Sequence, residues 1–293
     1  MSHKYTNDKS KLEQLKDKTL FIFDMDGTIY LEDKPLPYAI DFIEKIKNDV
    51  SKKYVYFTNN ASKDPQTYIG KLKKIGFPAD TTDTGTSAVL TSADVLIKFL
   101  KLYRQNKNIY LLGTPLLEDM FRYNGINLFY PDENIGYAQI NQLLPDIVVS
   151  SFDTSLTYAK LERACTYIRN GSEWLTTHPD INCPVEDGYI PDCGAINELI
   201  KSSTGKSLPK TFGKPYGEVV EMLEEIYQTD RKNMVMFGDR LYTDIALGKN
   251  NGMLAVLLLT GEASFKDAVA LPYDLQPDLI FNDFKEIYKY LFT

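Results

Sequence analysis

The chain has 293 residues, 43% of them hydrophobic and 25% charged, which is the make-up of a globular protein with one large domain or two ordinary ones. A formal net charge of -7 argues against a general nucleic-acid binder, which presents a basic face. It leaves small anionic substrates open, because a cation and a lysine can reverse the field inside one cleft.

Taken in chain order, the opening stretch MSHKYTNDKSKLEQLKDK lacks the apolar core of a signal peptide or membrane anchor. A first apolar run, 20–23, leads into FIFDMDGTIY, where Asp24 and Asp26 leave the strand one spacer apart. Two neighbouring carboxylates repel, so a cation, a shared proton or a division of chemical labour has to favour holding them together. Further apolar runs at 54–57, 109–112, 147–149, 234–237 and 255–259 alternate with helical patterns, which predicts βαβ units and a parallel sheet. Leu161, Ala164, Cys165 and Ile168 follow helical spacing and are closed by Asn170-Gly171, while Val219, Val220, Leu223, Ile226 and Tyr227 mark a helix opened near Pro215. The run MLAVLLL (253–259) is far shorter than the roughly 20 residues of a membrane helix and reads as a buried strand.

The middle third differs from the ends, with more αβ units and the turn-rich HPDINCPVEDGYIPDCGA (178–195). This predicts a core built from both chain ends, 1–102 and 211–293, with a second domain, 103–210, inserted between them. Three scattered cysteines, Cys165, Cys183 and Cys193, are too few for a disulfide framework or a cysteine-based zinc site, and they suit a reducing cytoplasm.

Four polar stretches follow apolar runs or precede a helix: Asp24 with Asp26, Thr58 with Asn59 and Asn60, Lys214 in FGKP, and Asp239 with Asp244 in MFGDRLYTD. Ligands of open α/β sheets bind beyond the carboxyl ends of the strands, so these stretches can converge on one crevice. Carboxylates there would supply hard oxygen ligands suited to Mg²⁺. Thr58 and nearby amides would donate to phosphoryl oxygens, and Lys214 beside a helix start would neutralise charge. The blander reading is that aspartates after strands cap helices or form turns, as Asp244 would do for the helix that follows it.

In that order, DMDGT, TNN, GKP and GDRLYTD resemble the four motifs of the haloacid dehalogenase-like (HAD) phosphohydrolases, and the insert resembles the C2 cap of their subclass IIA, which includes the NagD-like and 4-nitrophenylphosphatase-like enzymes. The resemblance runs from about residue 18 to the end. It implies an α/β, Rossmann-like core with an inserted α/β cap, and a Mg²⁺-dependent phosphatase acting on small phosphomonoesters. These include sugar phosphates, nucleoside monophosphates, phosphoglycolate and pyridoxal phosphate. By the same resemblance Asp24 is the nucleophile, Asp26 the general acid and base, Thr58 and Asn59 the holders of the phosphoryl group, with Asn60 beside them, and Lys214 the residue that orients Asp24. Mg²⁺ would be held by Asp24, the Asp26 backbone carbonyl, Asp239 and Asp244. Asp26 favours phosphoryl transfer over dehalogenation, since an alcohol leaving group needs an acid. In the insert, TTHPD (176–180) resembles a cap loop of this branch that reads TNPD, with His178 in place of Asn. Asp180 and Cys183 fall where relatives contact substrate. A cap-mediated homodimer is a further implication of the resemblance, with no nucleic-acid or membrane partner. Two rivals stay open: a phosphotransferase or phosphomutase, and a non-catalytic metabolite sensor.

Overall fold

A computed structural model describes residues 7–80, 87–131, 143–185 and 188–292. The chain forms two compact units, one from Met1–Thr58, Pro65–Leu90 and Lys214–Thr293, the other from Asn59–Asp64 and Thr91–Gly213. The helix Ser92–Tyr103, which the sequence reading assigned to the core, lies in the second unit. Strands are numbered along the chain.

The first unit is organised by β1 (Leu20–Phe23), β4 (Lys53–Thr58), β5 (Val89–Thr91), β13 (Met234–Gly238), β14 (Leu254–Leu258) and β15 (Leu279–Phe281), in the sheet order β15-β14-β13-β1-β4-β5. A hairpin of β2 (Tyr30–Leu31) and β3 (Lys34–Pro35) follows β1. β1 lies parallel to β4 on one side and to β13 on the other, with Phe23 opposite Tyr56 and Phe237. The chain therefore builds outward from β1 in one direction, then returns to build in the other. That reversal leaves a crevice at the carboxyl ends of β1 and β13.

Every residue of β1, β13 and β14 is buried, as expected of parallel strands covered on both faces. On one face Phe23 lies 5.0 Å from Phe237 and 6.2 Å, edge-on, from Phe42 of the helix Ala39–Lys47. Phe284 of the C-terminal helix Phe284–Phe292 closes the cluster, 5.3 Å from Phe42. Leu254–Leu258, within the apolar run at 253–259, is a buried strand, and no helix among the described residues is long and apolar enough to cross a membrane.

The second unit has a five-stranded sheet, β12-β9-β8-β6-β7, from β6 (Asn108–Leu112), β7 (Asn127–Leu128), β8 (Ile147–Ser150), β9 (Glu173–Thr176) and β12 (Lys210–Thr211). All its pairings are parallel. Helices Tyr158–Arg169 and Cys193–Thr204 cover it through Ala164, Cys165, Tyr167, Ile196 and Ile200, packed on Tyr110 and Val148. An antiparallel hairpin, β10 (Asn182–Val185) with β11 (Gly188–Pro191), stands apart from that sheet. The three cysteines form no disulfide, and Cys165 and Cys193 are buried.

Candidate active site

Sheet topology brings the first carboxylates together. Asp24 follows β1 and its backbone N–H donates to the carbonyl of Phe237 in β13 at 2.9 Å, which ties the two strand ends side by side. The chain then turns tightly, with Thr28 N–H and Ile29 N–H donating to the Met25 carbonyl at 3.2 and 3.0 Å. Gly27 has φ +84, and a Cβ there would stand 2.5 Å from Oδ2 of Asp239. Only glycine satisfies both demands. The fully buried Thr28 donates from Oγ1 to Asp239 Oδ1 at 3.0 Å and approaches Asp24 Oδ2 at 3.4 Å. The Asp-Gly-Thr succession is thus a device that folds the loop back onto Asp239.

Asp239 receives a second donor, the Glu262 N–H, on Oδ2 at 2.8 Å, and Thr260 Oγ1 donates to the Gly27 carbonyl at 2.7 Å. Asp244 sits in a π-helical turn, Leu241–Ile245, a distortion common at functional sites. A Cβ on Gly238 would come within 2.1 Å of Asp244 Cβ, so the strand end has to be glycine for the turn to close over it. Asp244 caps neither this turn nor the helix after it: one oxygen accepts from the Arg240 N–H at 3.2 Å and the other lies 2.7 Å from Lys214 Nζ.

Lys214, 3% exposed, joins the acids: its Nζ contacts Asp24 Oδ1 as well as Asp244, and lies 3.4 Å from the carbonyl of Phe57 in β4. One ammonium faces three carboxylates, since ligand oxygens of Asp24, Asp239 and Asp244 all lie within 4.8 Å of one another. Burial pulls the Lys214 pKa down, but the charges of Asp24 and Asp244 outweigh it and hold it above the ordinary lysine value. Burial pushes Asp244 up to about 7 against the pull of Lys214, and it raises Asp239 too, with the charge of Asp24 adding. Even with the Arg240 guanidinium, whose charge also acts on Asp24, Asp239 and Asp244, three acids stand against two cations, and the donor set is all oxygen and all hard. It fits a divalent cation of the hard class, whose charge would offset the burial and mutual repulsion of the carboxylates.

The Asp26 side chain lies outside this cluster. Its Oδ2 accepts from the Tyr30 hydroxyl at 3.3 Å, and Lys71 Nζ, which lies 4.1 Å from the centre of the Tyr30 ring, is 4.0 Å from Oδ1. Desolvation by the surrounding protein raises its pKa, Lys71 opposes and Asp24 adds. Because 65% of the side chain remains open, water mutes that shift. A carboxyl pushed toward its protonated form and open to solvent suits an acid that meets a substrate oxygen.

Thr58 ends β4 and is buried. The other sequence candidates belong to the second unit. Asn59 Nδ2 donates to Asp180 Oδ1 at 3.1 Å, and the Asn59 carbonyl accepts from Ser92 Oγ at 2.7 Å. Asn60 Oδ1 closes a turn, accepting from the N–H and hydroxyl of Ser62. Cys183 lies on β10, partly buried. His178 is wholly buried, with Nδ1 2.9 Å from Thr177 Oγ1 and Nε2 2.9 Å from Asp192 Oδ1, which also accepts from the Cys193 N–H. That burial makes it a structural residue of the loop bearing Asp180. Burial alone would lower its pKa, but the hydrogen bond and charge of Asp192 raise it.

Gly27, Thr28, Thr260 and Glu262 were given no role from the sequence. A Gly-Thr pair directly after the second carboxylate is a local signal for the first two. Nothing local marks the last two.

A parallel α/β core gathers three carboxylates and a lysine at its topological switch, an oxygen-rich arrangement able to hold a hard divalent cation. Family models described as haloacid dehalogenase-like hydrolase and HAD-hydrolase-like match residues 21–127 and 211–287. The crystal structure of 4-nitrophenylphosphatase from Thermotoga maritima is 39% identical with a TM-score of 0.82, covering 95% of this chain and 99% of that one. An acid sugar phosphatase of Staphylococcus saprophyticus is 30% identical over 94% of this chain and 99% of its own length. A NipSnap-named protein of Caenorhabditis elegans is 34% identical over 84% of this chain, which spans only 49% of that relative. The chain belongs to the haloacid dehalogenase-like hydrolases, and its fold is their Rossmann-like α/β fold.

Proposed function

We propose that this phosphoric monoester hydrolase is a Mg²⁺-dependent phosphatase of small soluble metabolites, working in the cytoplasm through an aspartyl-phosphate. The observation that carries the reading is Lys214 wedged between Asp24 and Asp244, with Asp239 completing the oxygen set. In the first step an Asp24 carboxylate oxygen forms a bond to phosphorus while the ester P–O bond breaks. Asp26 gives its proton to the departing alkoxide, which leaves as an alcohol. In the second step Asp26, now ionised, takes a proton from water as that water's oxygen attacks phosphorus. The Asp24 acyl-phosphate bond breaks, returning the carboxylate and releasing inorganic phosphate.

Lys214 fixes the Asp24 rotamer through its contact with Oδ1 and offsets charge near the transferring group. Asp24, Asp239, Asp244 and the Asp26 carbonyl would hold the Mg²⁺, which supplies charge neutralisation that lets an anionic nucleophile meet an anionic ester. Thr28 and the Glu262 N–H keep Asp239 turned inward for that role. Thr58, Asn59 and Asn60 hold phosphoryl oxygens, and Asp180 and Cys183 discriminate among leaving groups. The substrate class is a sugar phosphate, nucleoside monophosphate, phosphoglycolate or pyridoxal phosphate, and the working assembly is a homodimer.

The test is phosphate release from 4-nitrophenyl phosphate with Mg²⁺, with EDTA, and in Asp24→Asn. Both treatments should abolish turnover. Undiminished activity in Asp24→Asn would refute the assigned nucleophile, and 4-nitrophenol without free phosphate in excess glycerol would favour the phosphotransferase rival.

A further inference from the structure

At the edge of the first unit's sheet opposite the carboxylates, where β1, β13 and β14 begin, lies a cavity of about 550 Å³. It is bounded by the helix Lys9–Lys16, the helix Ala246–Asn250 and the single turn Arg231–Asn233. Lys11, Lys18, Lys232 and Lys249 line it with only two carboxylates, Asp17 and Asp278. In a chain of net charge -7 that is a local reversal of sign.

Asp278 cannot balance the lysines. It already accepts from Lys249 Nζ at 2.9 Å and the Ala255 N–H at 3.0 Å, and it pairs with Lys11 at 3.1 Å. Lys232 and Asp230 form an ion pair at 3.1 Å with both side chains more than two-thirds open, which solvent keeps weak. Lys18 is half-buried and makes no ion pair among the described residues: its ammonium donates to the carbonyl of Lys232 at 2.5 Å. Burial and then the charge of Lys11 lower its pKa, with Asp278 and Asp17 opposing weakly. Met253 and Leu254 are the apolar side chains of the lining, too few to select a hydrophobic ligand. The volume falls within the range of small-molecule sites, roughly 300–1,000 Å³.

We propose that this hollow is a second anion site that takes a small, multiply charged phosphate chain, whether free or carried by a nucleotide. Lys18 and Lys232 act as its principal charge-assisted donors, with Lys11 and Lys249 held at its wall by Asp278. The whole of β1 separates it from Asp24, about 13 Å at ~3.3 Å per residue, so an anion there is not a substrate in reaction. The inference stands whether or not the phosphatase reading does.

Isothermal titration calorimetry tests it, using metal-free Asp24→Asn protein in EDTA with sodium tripolyphosphate and, separately, ATP, against sodium chloride of matched ionic strength. One equivalent of tripolyphosphate should bind. Affinity should fall about tenfold for each ammonium removed in Lys18→Gln and Lys232→Gln, and about a hundredfold in the double variant. Asp17→Asn, which removes a negative charge from the lining, should tighten binding. Equal affinity for ATP marks the chain itself as the ligand, and tighter ATP binding marks a nucleotide. Heat no greater than that of chloride, or unchanged affinity in the double variant, overturns the proposal.

Discussion

Gly27→Ala tests the site's geometry without touching a reactive atom. The residue sits at φ +84, where an L side chain costs about 1–2 kcal/mol. The new methyl carbon would also stand 2.5 Å from Asp239 Oδ2 and 2.9 Å from its carboxyl carbon. Restoring ordinary contact at ~3.5 Å requires the carboxylate to retreat by roughly 1 Å. Asp239 is not free to follow, because Thr28 and the Glu262 N–H hold one oxygen each. The variant should therefore lose about 2–4 kcal/mol, counting backbone strain together with one weakened charge-assisted hydrogen bond. Its kcat/KM should fall about a hundredfold, the scale of a 1 Å misplacement in a preorganised site. Urea denaturation gives the first quantity, and 4-nitrophenyl phosphate kinetics across a Mg²⁺ titration give the second. A variant with wild-type kcat and wild-type Mg²⁺ dependence would show that the Gly27–Asp239 approach has no bearing on the reaction.

Two further outcomes follow from particular contacts. Thr28→Val keeps the shape but removes the donor to Asp239 Oδ1, so the Mg²⁺ concentration for half-maximal activity should rise about tenfold or more; an unchanged Mg²⁺ requirement would place that hydroxyl outside the cation's surroundings. His178→Asn removes a buried imidazole whose pKa is raised by Asp192, so its charged pair stabilises the fold fully below the ordinary histidine value and loses that contribution as pH rises through the raised one. The stability deficit of the variant should then be larger at pH 6 than well above the raised pKa. Urea midpoints at a series of pH values read this directly, and a deficit that does not change with pH would mean that folding leaves the imidazole's pKa where it was.

The long strands were legible because their apolar runs are continuous and end in turn formers, as β1, β4, β13 and β14 show. β5 and β15 have three residues each, too short for any period to register, and β9 carries only Trp174 and Leu175 as large apolar residues between polar ends. Asp24, Lys214, Asp239 and Asp244 could be picked out because each sits just past a strand or before a helix. Their mutual arrangement could not, since it depends on β13 returning to lie beside β1 rather than on anything local to either segment. The same holds for Thr260 and Glu262, whose contacts with Gly27 and Asp239 join residues far apart in the chain. His178 looked like a loop residue of the cap, and its burial against Asp192 becomes visible only when the helix Cys193–Thr204 is set beside it.

In the proposed mechanism Asp24 carries the phosphoryl group and Asp26 serves both half-reactions. Asp26→Asn separates the two. 4-Nitrophenolate leaves without an acid, so with this substrate the first step survives while water lacks its base. Rapid mixing should give a burst of one equivalent of 4-nitrophenolate, and acid quenching should trap a phosphoryl group on the peptide that contains Asp24. Steady turnover with no burst and no phosphorylated Asp24, or a phosphoryl group recovered on another residue, would contradict the account.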